Sequence, residues 1–261
     1  MTIRTWSPIQ FHGTSGKAPF VLLCEHAAKD IPQELGNLGL DPEARASHAA
    51  WDIGALDVAT GLSQLLDAPL VAGGVSRLVY DCNRPLQAPD CMPVKSEVFS
   101  IPGNKDLTDD ERQLRFALVH EPFHSAAQDL IRAQIKRSKT PVTVLTIHSF
   151  TPVYNGGQRL VELGFLFDKN SGFSDAIQTI EQERGRFKSA LNEPYDATDG
   201  VTYSLRKHAE DLDLDATMIE IRNDLINTQD KAKEMADHLA QSILQAHETL
   251  HQDRQRKANA S

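Results

Sequence analysis

Val142-Thr143-Val144-Leu145-Thr146-Ile147-His148 is a short apolar, β-branched run that ends on a histidine, and Ser149-Phe150-Thr151-Pro152 follows it. Phe20-Val21-Leu22-Leu23-Cys24, followed by Glu25-His26, repeats the pattern. Runs of this kind read as strands, and further candidates are Leu70–Val75, Leu78–Cys82, Leu160–Phe167 and Thr217–Ile221. Longer stretches of helical period fill the intervals: Ile53–Leu66, Asp109 to about Lys139, Ser171–Leu191, Tyr203–Asp211 and Thr228 to about His251. Thr108 and Glu111 form a capping box at the start of the second of these. The alternation predicts an α/β protein built on a central, mostly parallel sheet flanked by helices. No repeat, linker or break in composition divides the chain. A single domain over 1–261 is expected, with its core between about 18 and 250 and a frayed polar tail at 252–261.

The chain has 261 residues, with 27 Lys and Arg against 36 Asp and Glu, a net charge of −9. That sign repels phosphate backbones and anionic headgroups, which argues against a nucleic-acid or membrane-surface partner. No apolar run approaches the roughly 20 residues that span a bilayer, and the N-terminus lacks a leader's apolar segment, so a cytoplasmic protein is expected. Three cysteines, Cys24, Cys82 and Cys91, without C-x-x-C spacing exclude a disulfide framework and read as reduced structural thiols. Ten histidines are the more unusual feature, and they direct attention to His, Asp and Glu.

His120-Glu121-Pro122-Phe123-His124 matches the H-E-x-x-H pattern of helical zinc sites, but Pro122 removes a backbone N–H and kinks the helix that must hold both rings in register. His124 is instead a candidate to line a pocket from that kinked helix. Strand ends offer a second set, because the carboxyl ends of parallel strands form the crevice of an α/β fold. His26 and His148 each close an apolar run, Asp52 opens the helix at Ile53, and Glu220 and Arg222 share one face of the last strand. Two imidazoles and a carboxylate, with a fourth position left for water, make the ligand set of a catalytic zinc. Asp52 also fits a plain helix cap, and Glu220 with Arg222 a surface pair. In Ser76–Pro85, Arg77 and Arg84 beside Asn83 offer donors for a substrate carboxylate, with structural ion pairs as the alternative.

Six blocks, at 24–32, 48–55, 76–85, 148–152, 192–195 and 219–226, resemble in order the blocks of N-formylglutamate amidohydrolases, and the resemblance spans about residues 18 to 246. That family is similar in fold to zinc carboxypeptidases, with a central mixed sheet and a zinc-exopeptidase-like site. The resemblance implies that His26, Asp52 and His148 hold Zn2+ or another divalent metal and that Glu220 is the acid/base. It implies that Asn83 and Arg84 hold a substrate carboxylate, with Arg77 as a second anchor and Arg159 and Tyr195 in the pocket. Arg222 or Arg77 is the candidate for the oxyanion, and His48, one turn before Asp52, for orienting it or touching substrate. Glu25 is the rival acidic ligand, disfavoured because it projects to the opposite side of the strand end from His26.

The function implied is hydrolysis of an N-formyl amino acid, N-formyl-L-glutamate first, to formate and glutamate, a step of histidine degradation. The substrate is then a small N-acyl amino acid; the number of subunits is left open. A deformylase or deacylase for another N-acyl amino acid or peptide shares the same machinery. A catalytically silent binding protein of this fold is expected to lack a ligand or Glu220, and all four residues are present.

Overall fold

The computed structural model describes residues 6–13, 15–195 and 200–260; the first five residues, read above for a leader, and residue 261 of the tail lie outside them. Eleven strands are described. β1 (Ile9–His12), β2 (Phe20–Cys24), β3 (Leu70–Gly73), β6 (Thr143–Phe150), β9 (Leu163–Leu166), β10 (Ser189–Leu191) and β11 (Asp215–Arg222) form one sheet in the order β1-β3-β2-β6-β11-β9-β10. Two small hairpins stand outside it, β4 (Lys95–Ser96) with β5 (Phe99–Ser100) and β7 (Val153–Tyr154) with β8 (Gly157–Gln158). The central pairs are parallel, while β1 on β3 and β9 on β11 run antiparallel. The fold is therefore a mixed, mostly parallel α/β domain, as the alternation predicts.

Side-chain alternation assigns each residue of a strand to a face. Leu145 and Ile147 of β6 and Ile219 and Ile221 of β11 pack into one apolar cluster with α2 (Ala55–Leu65), α5 (Gly172–Arg184) and α7 (Gln229–Ala260). Val144 and Met218 point the other way, towards α4 (Glu121–Arg137) and α6 (Tyr203–His208), with α1 (Pro42–Ala46) contributing Ala44 on that side. His148 and Glu220 follow this second set by parity, and they stand directly opposite one another in the β6–β11 register. Pairing in the centre of a parallel sheet thus places an imidazole beside a carboxylate at one depth.

Several expectations need correction. Leu78–Cys82 is not a strand: Ser76 Oγ accepts the Leu78 N–H (3.1 Å) and Asp81 Oδ1 accepts the Asn83 N–H (2.8 Å), so side chains capture the backbone two residues on and turn it. The helix expected over Ser171–Leu191 ends at Arg184 with Gly185 in the left-handed region (φ 61°), and the remainder becomes β10. The long helix after Thr108 is α3 (Asp109–Arg115), one wide turn over Phe116–His120, and α4; the wide turn absorbs the break that Pro122 imposes. Outside these corrections, α7 extends to Ala260, and within it Arg254 clamps Asp215 at the start of β11 with two bonds of 2.6 and 2.5 Å. No helix among the described residues is long and apolar enough to cross a membrane.

Asp52 sits in the turn before α2, and Gly54, the N-cap of that helix, has φ +78°. A Cβ added there would lie 2.1 Å from the Ile226 carbonyl oxygen. Gly54→Ala should therefore cost at least about 2 kcal/mol in a urea titration, the left-handed penalty plus displacement of the Ile226 backbone. Stability within about 0.5 kcal/mol of the parent would contradict this packing.

Candidate metal centre and active site

Three strand ends and one turn deliver the site. His26 follows β2, His148 lies near the end of β6, Glu220 lies near the end of β11, and the Asp52 N–H donates to the His26 carbonyl (2.9 Å), tying the turn before α2 to the end of β2. All four side chains are buried, at 2–5% exposure. Asp52 is not the cap of α2. Its Oδ2 faces His148 Nδ1 at 2.9 Å and His26 Nδ1 at 3.2 Å, and it also accepts the Ser149 N–H at 3.3 Å.

The far side of each ring meets another carboxylate. His26 Nε2 is 2.7 Å from Asp81 Oδ1, and His148 Nε2 is 3.0 Å from Glu25 Oε2. A neutral imidazole carries a proton on one nitrogen only. With the His26 Nε2–H donated to Asp81, and the His148 Nε2 facing Glu25 across 3.0 Å without a formed hydrogen bond, both Nδ1 atoms are left to present lone pairs towards Asp52 Oδ2. A divalent cation among them reconciles that arrangement. Ligands at about 2.0–2.1 Å in a tetrahedron lie roughly 3.3 Å apart, close to the two separations observed, and His26, Asp52 and His148 each offer a ligand atom within 4.8 Å of the other two. The donor set fits zinc, and Asp81 and Glu25 are the carboxylates that would orient the two rings from behind.

Electrostatics follow the geometry. Burial would raise the Asp52 carboxyl, but the two imidazoles outweigh it and hold it well below the usual carboxylate range. Burial lowers and the neighbouring carboxylates raise His148, which ends well above its ordinary value. Glu220 behaves oppositely: burial, with Asp52 adding, pushes its carboxyl up to about 7 despite the opposing His148. Its Oε2 is buried without a hydrogen-bond partner. A carboxylate so placed, beside the three donors and poised near neutrality, can take up and return a proton.

His26, Asp52, His148 and Glu220 open onto a cavity of ≈ 290 Å³ that Arg77, Asn83, Arg84, His48, Arg159 and Tyr195 also line. Two candidates lie elsewhere. His124 does not reach the cavity: its Nε2 is 2.7 Å from the Cys82 carbonyl oxygen and its Nδ1 2.7 Å from His208 Nε2, behind the Ser76–Pro85 turns. Arg222 folds back onto Asp224 (2.8 Å) and Glu162 (3.2 Å), so it cannot serve an oxyanion here. Asn83 is committed at both ends of its amide, donating to the Val201 carbonyl and accepting the Ser204 N–H. Asp81 is the residue that sequence reasoning passed over; its only signal is an acidic side chain at the head of a turn two residues before Asn83.

Residues 18–227 match the model of the family described as N-formylglutamate amidohydrolase. A gene product of Agrobacterium tumefaciens with a crystal structure is 43% identical, at TM-score 0.90 over 94% of this chain and 96% of that one. The N-formylglutamate amidohydrolase of Ralstonia eutropha JMP134 is 16% identical, at TM-score 0.60 over 91% and 98%, a likeness of fold. No curated protein sequence matches.

His26→Ala should empty the metal site while His120→Ala leaves metal content at its parental level, as elemental analysis would register; the reverse would favour the H-E-x-x-H segment. Asp81→Asn, which keeps the shape and removes the charge behind His26, should weaken metal affinity by about 10–100-fold in a competition titration. An unchanged affinity would remove Asp81 from the centre.

Proposed function

The chain belongs to the N-formylglutamate amidohydrolase family, and from that premise we propose that it is a metal-dependent hydrolase of the N-formyl amide of an acidic amino acid, N-formyl-L-glutamate first, acting at the site of His26, Asp52, His148 and Glu220. The observation that carries this reading is the buried Glu220 carboxylate opposite His148, its Oε2 without a hydrogen-bond partner, beside a His-Asp-His donor set that lines the same cavity.

A divalent cation held by His26, Asp52 and His148 would polarise the formyl carbonyl and acidify a water molecule. The protein's own groups do the rest. Asp81 holds the far side of the His26 ring and Glu25 lies 3.0 Å from the far side of the His148 ring, with both Nδ1 atoms turned to Asp52. Glu220 takes the proton of the attacking water on a carboxylate oxygen, aided by burial that makes it a stronger base than an exposed glutamate. The tetrahedral carbon then expels the amine, and Glu220 returns the proton to the departing nitrogen, leaving formate and glutamate. Arg77 donates to Asp81 (2.7 Å) and Asp52 (3.4 Å), so it braces the carboxylates and brings a positive charge up to the centre. A reaction of this type has its place in histidine degradation.

Glu220→Gln should retain metal and bind substrate yet lose a factor of at least about 10² in kcat, the low end for general acid–base catalysis. Loss of metal would make Glu220 a ligand instead, and a near-parental rate would require another base. A formate-release screen over N-formylglutamate, N-formylaspartate, N-formylmethionine and N-acetylglutamate tests the substrate; preference for a neutral or an acetylated compound would move the enzyme to the deformylases or deacylases of other N-acyl amino acids.

A further inference from the structure

The cavity is lined by more cationic side chains than it has free positive charge. Arg77 is spent on Asp81 and Asp52, Arg84 Nε donates to Asp90 (2.8 Å), and His48 Nε2 lies 2.8 Å from Glu97 Oε2. Arg159 differs from all three. Among the described residues it meets no carboxylate, and its guanidinium is caged by aromatic rings at 4.7 Å from Tyr154, 4.8 Å from Tyr195 and 5.6 Å from Phe150. One nitrogen donates to the Tyr195 hydroxyl (3.2 Å) and, at the edge of hydrogen bonding, to the Thr151 carbonyl (3.5 Å). The rest of its fork has no partner among the described residues.

The mounting is firm. The Arg159 N–H donates to the Pro152 carbonyl (2.8 Å), closing the β7–β8 hairpin at its base, and at the hairpin's tip the Asn155 N–H donates to Glu97 (3.3 Å) on the facing β4–β5 hairpin. Ring faces hold the plane of the guanidinium without neutralising its charge. A planar fork that is oriented, half-buried and lacking a counter-charge is built to receive a carboxylate from outside. Lys95, which also lines the cavity, is exposed on β4 and among the described residues has no partner that would orient its ammonium group.

We propose that Arg159 is the receptor for a carboxylate on the amino-acid half of the substrate, so that preference for an acidic N-acyl amino acid is exerted from the β7–β8 side of the cavity and not at Asn83 and Arg84. This rests on the N-acyl amino acid reading above. It separates two tasks: the sheet-end residues act on the acyl group, and the hairpin arginine selects what carries it.

The test compares the parent with Arg159→Met on N-formylglutamate and its two mono-amides, N-formylglutamine and N-formylisoglutamine, and titrates both proteins with glutarate by calorimetry. The diacid should lose a factor of roughly 30 or more in kcat/KM, chiefly through KM. The mono-amide that lacks the carboxylate held by Arg159 should lose almost nothing, glutarate should bind more weakly by a similar factor, and Arg159→Lys should recover part of the loss. Equal losses on all three substrates would show a structural role, and glutarate bound equally well by both proteins, or by neither, would overturn the proposal. A parent that binds glutarate through Arg159 but frees no formate from any substrate would retire the amidohydrolase reading and leave the receptor standing.

Discussion

One carboxylate oxygen, Asp52 Oδ2, is shared by the Nδ1 atoms of His26 and His148, and the chain is arranged around that meeting. Asp52, Asp81, Glu25 and Glu220 are four carboxylates at 5% exposure or less, and among the described residues Arg77 is the one guanidinium bonded to any of them. Burying that excess of negative charge is costly unless positive charge enters with it. Two extra protons, with each Nδ1–H donated to Asp52, or one divalent cation held by the two Nδ1 lone pairs and Asp52 can supply it, and the His-Asp-His donor set suits the second. The fold is disposed accordingly: β2, β6 and β11 run parallel so that their ends fall together, and Gly54 lets the backbone approach Ile226 where Asp52 must turn inward.

Much of this was legible in the sequence, for identifiable reasons. β2, β6 and β11 are buried on both faces, so their residues read as continuous apolar runs, and a histidine or glutamate at the end of such a run stands out. Asp52 was legible only through its place before a helix and the resemblance of its block; its contact with His148 joins residues 96 apart. Leu78–Cys82 misleads because its side chains are those of a strand, whereas Ser76 and Asp81 bend the backbone by local hydrogen bonds that composition does not reveal. The same turns hide the part Asp81 plays behind His26. Arg222 misleads through parity: it shares a face with Glu220, yet two residues further along β11 Glu162 and Asp224 capture it.

The arginines teach the same distinction between charge and free charge. Three of them line the cavity, and only the network of partners separates Arg77 and Arg84, each matched to an aspartate, from Arg159, which aromatic rings hold without neutralising. Counting guanidinium groups along a sequence cannot make that separation. His124 shows the converse. A histidine that fits a zinc pattern on paper is consumed by a backbone carbonyl and a second imidazole, in surroundings that depress its basicity through burial.

The metal centre can be tested most directly by locating the ion. Crystals of the protein grown with zinc, with anomalous data collected on both sides of the zinc edge, should give one strong peak about 2.0–2.2 Å from His26 Nδ1, Asp52 Oδ2 and His148 Nδ1, with Asp81 and Glu25 on the outer sides of the two rings. A peak at His120 or His124, a peak on the Nε2 side of His26 or His148, or no peak between these residues at saturating zinc would contradict the assignment.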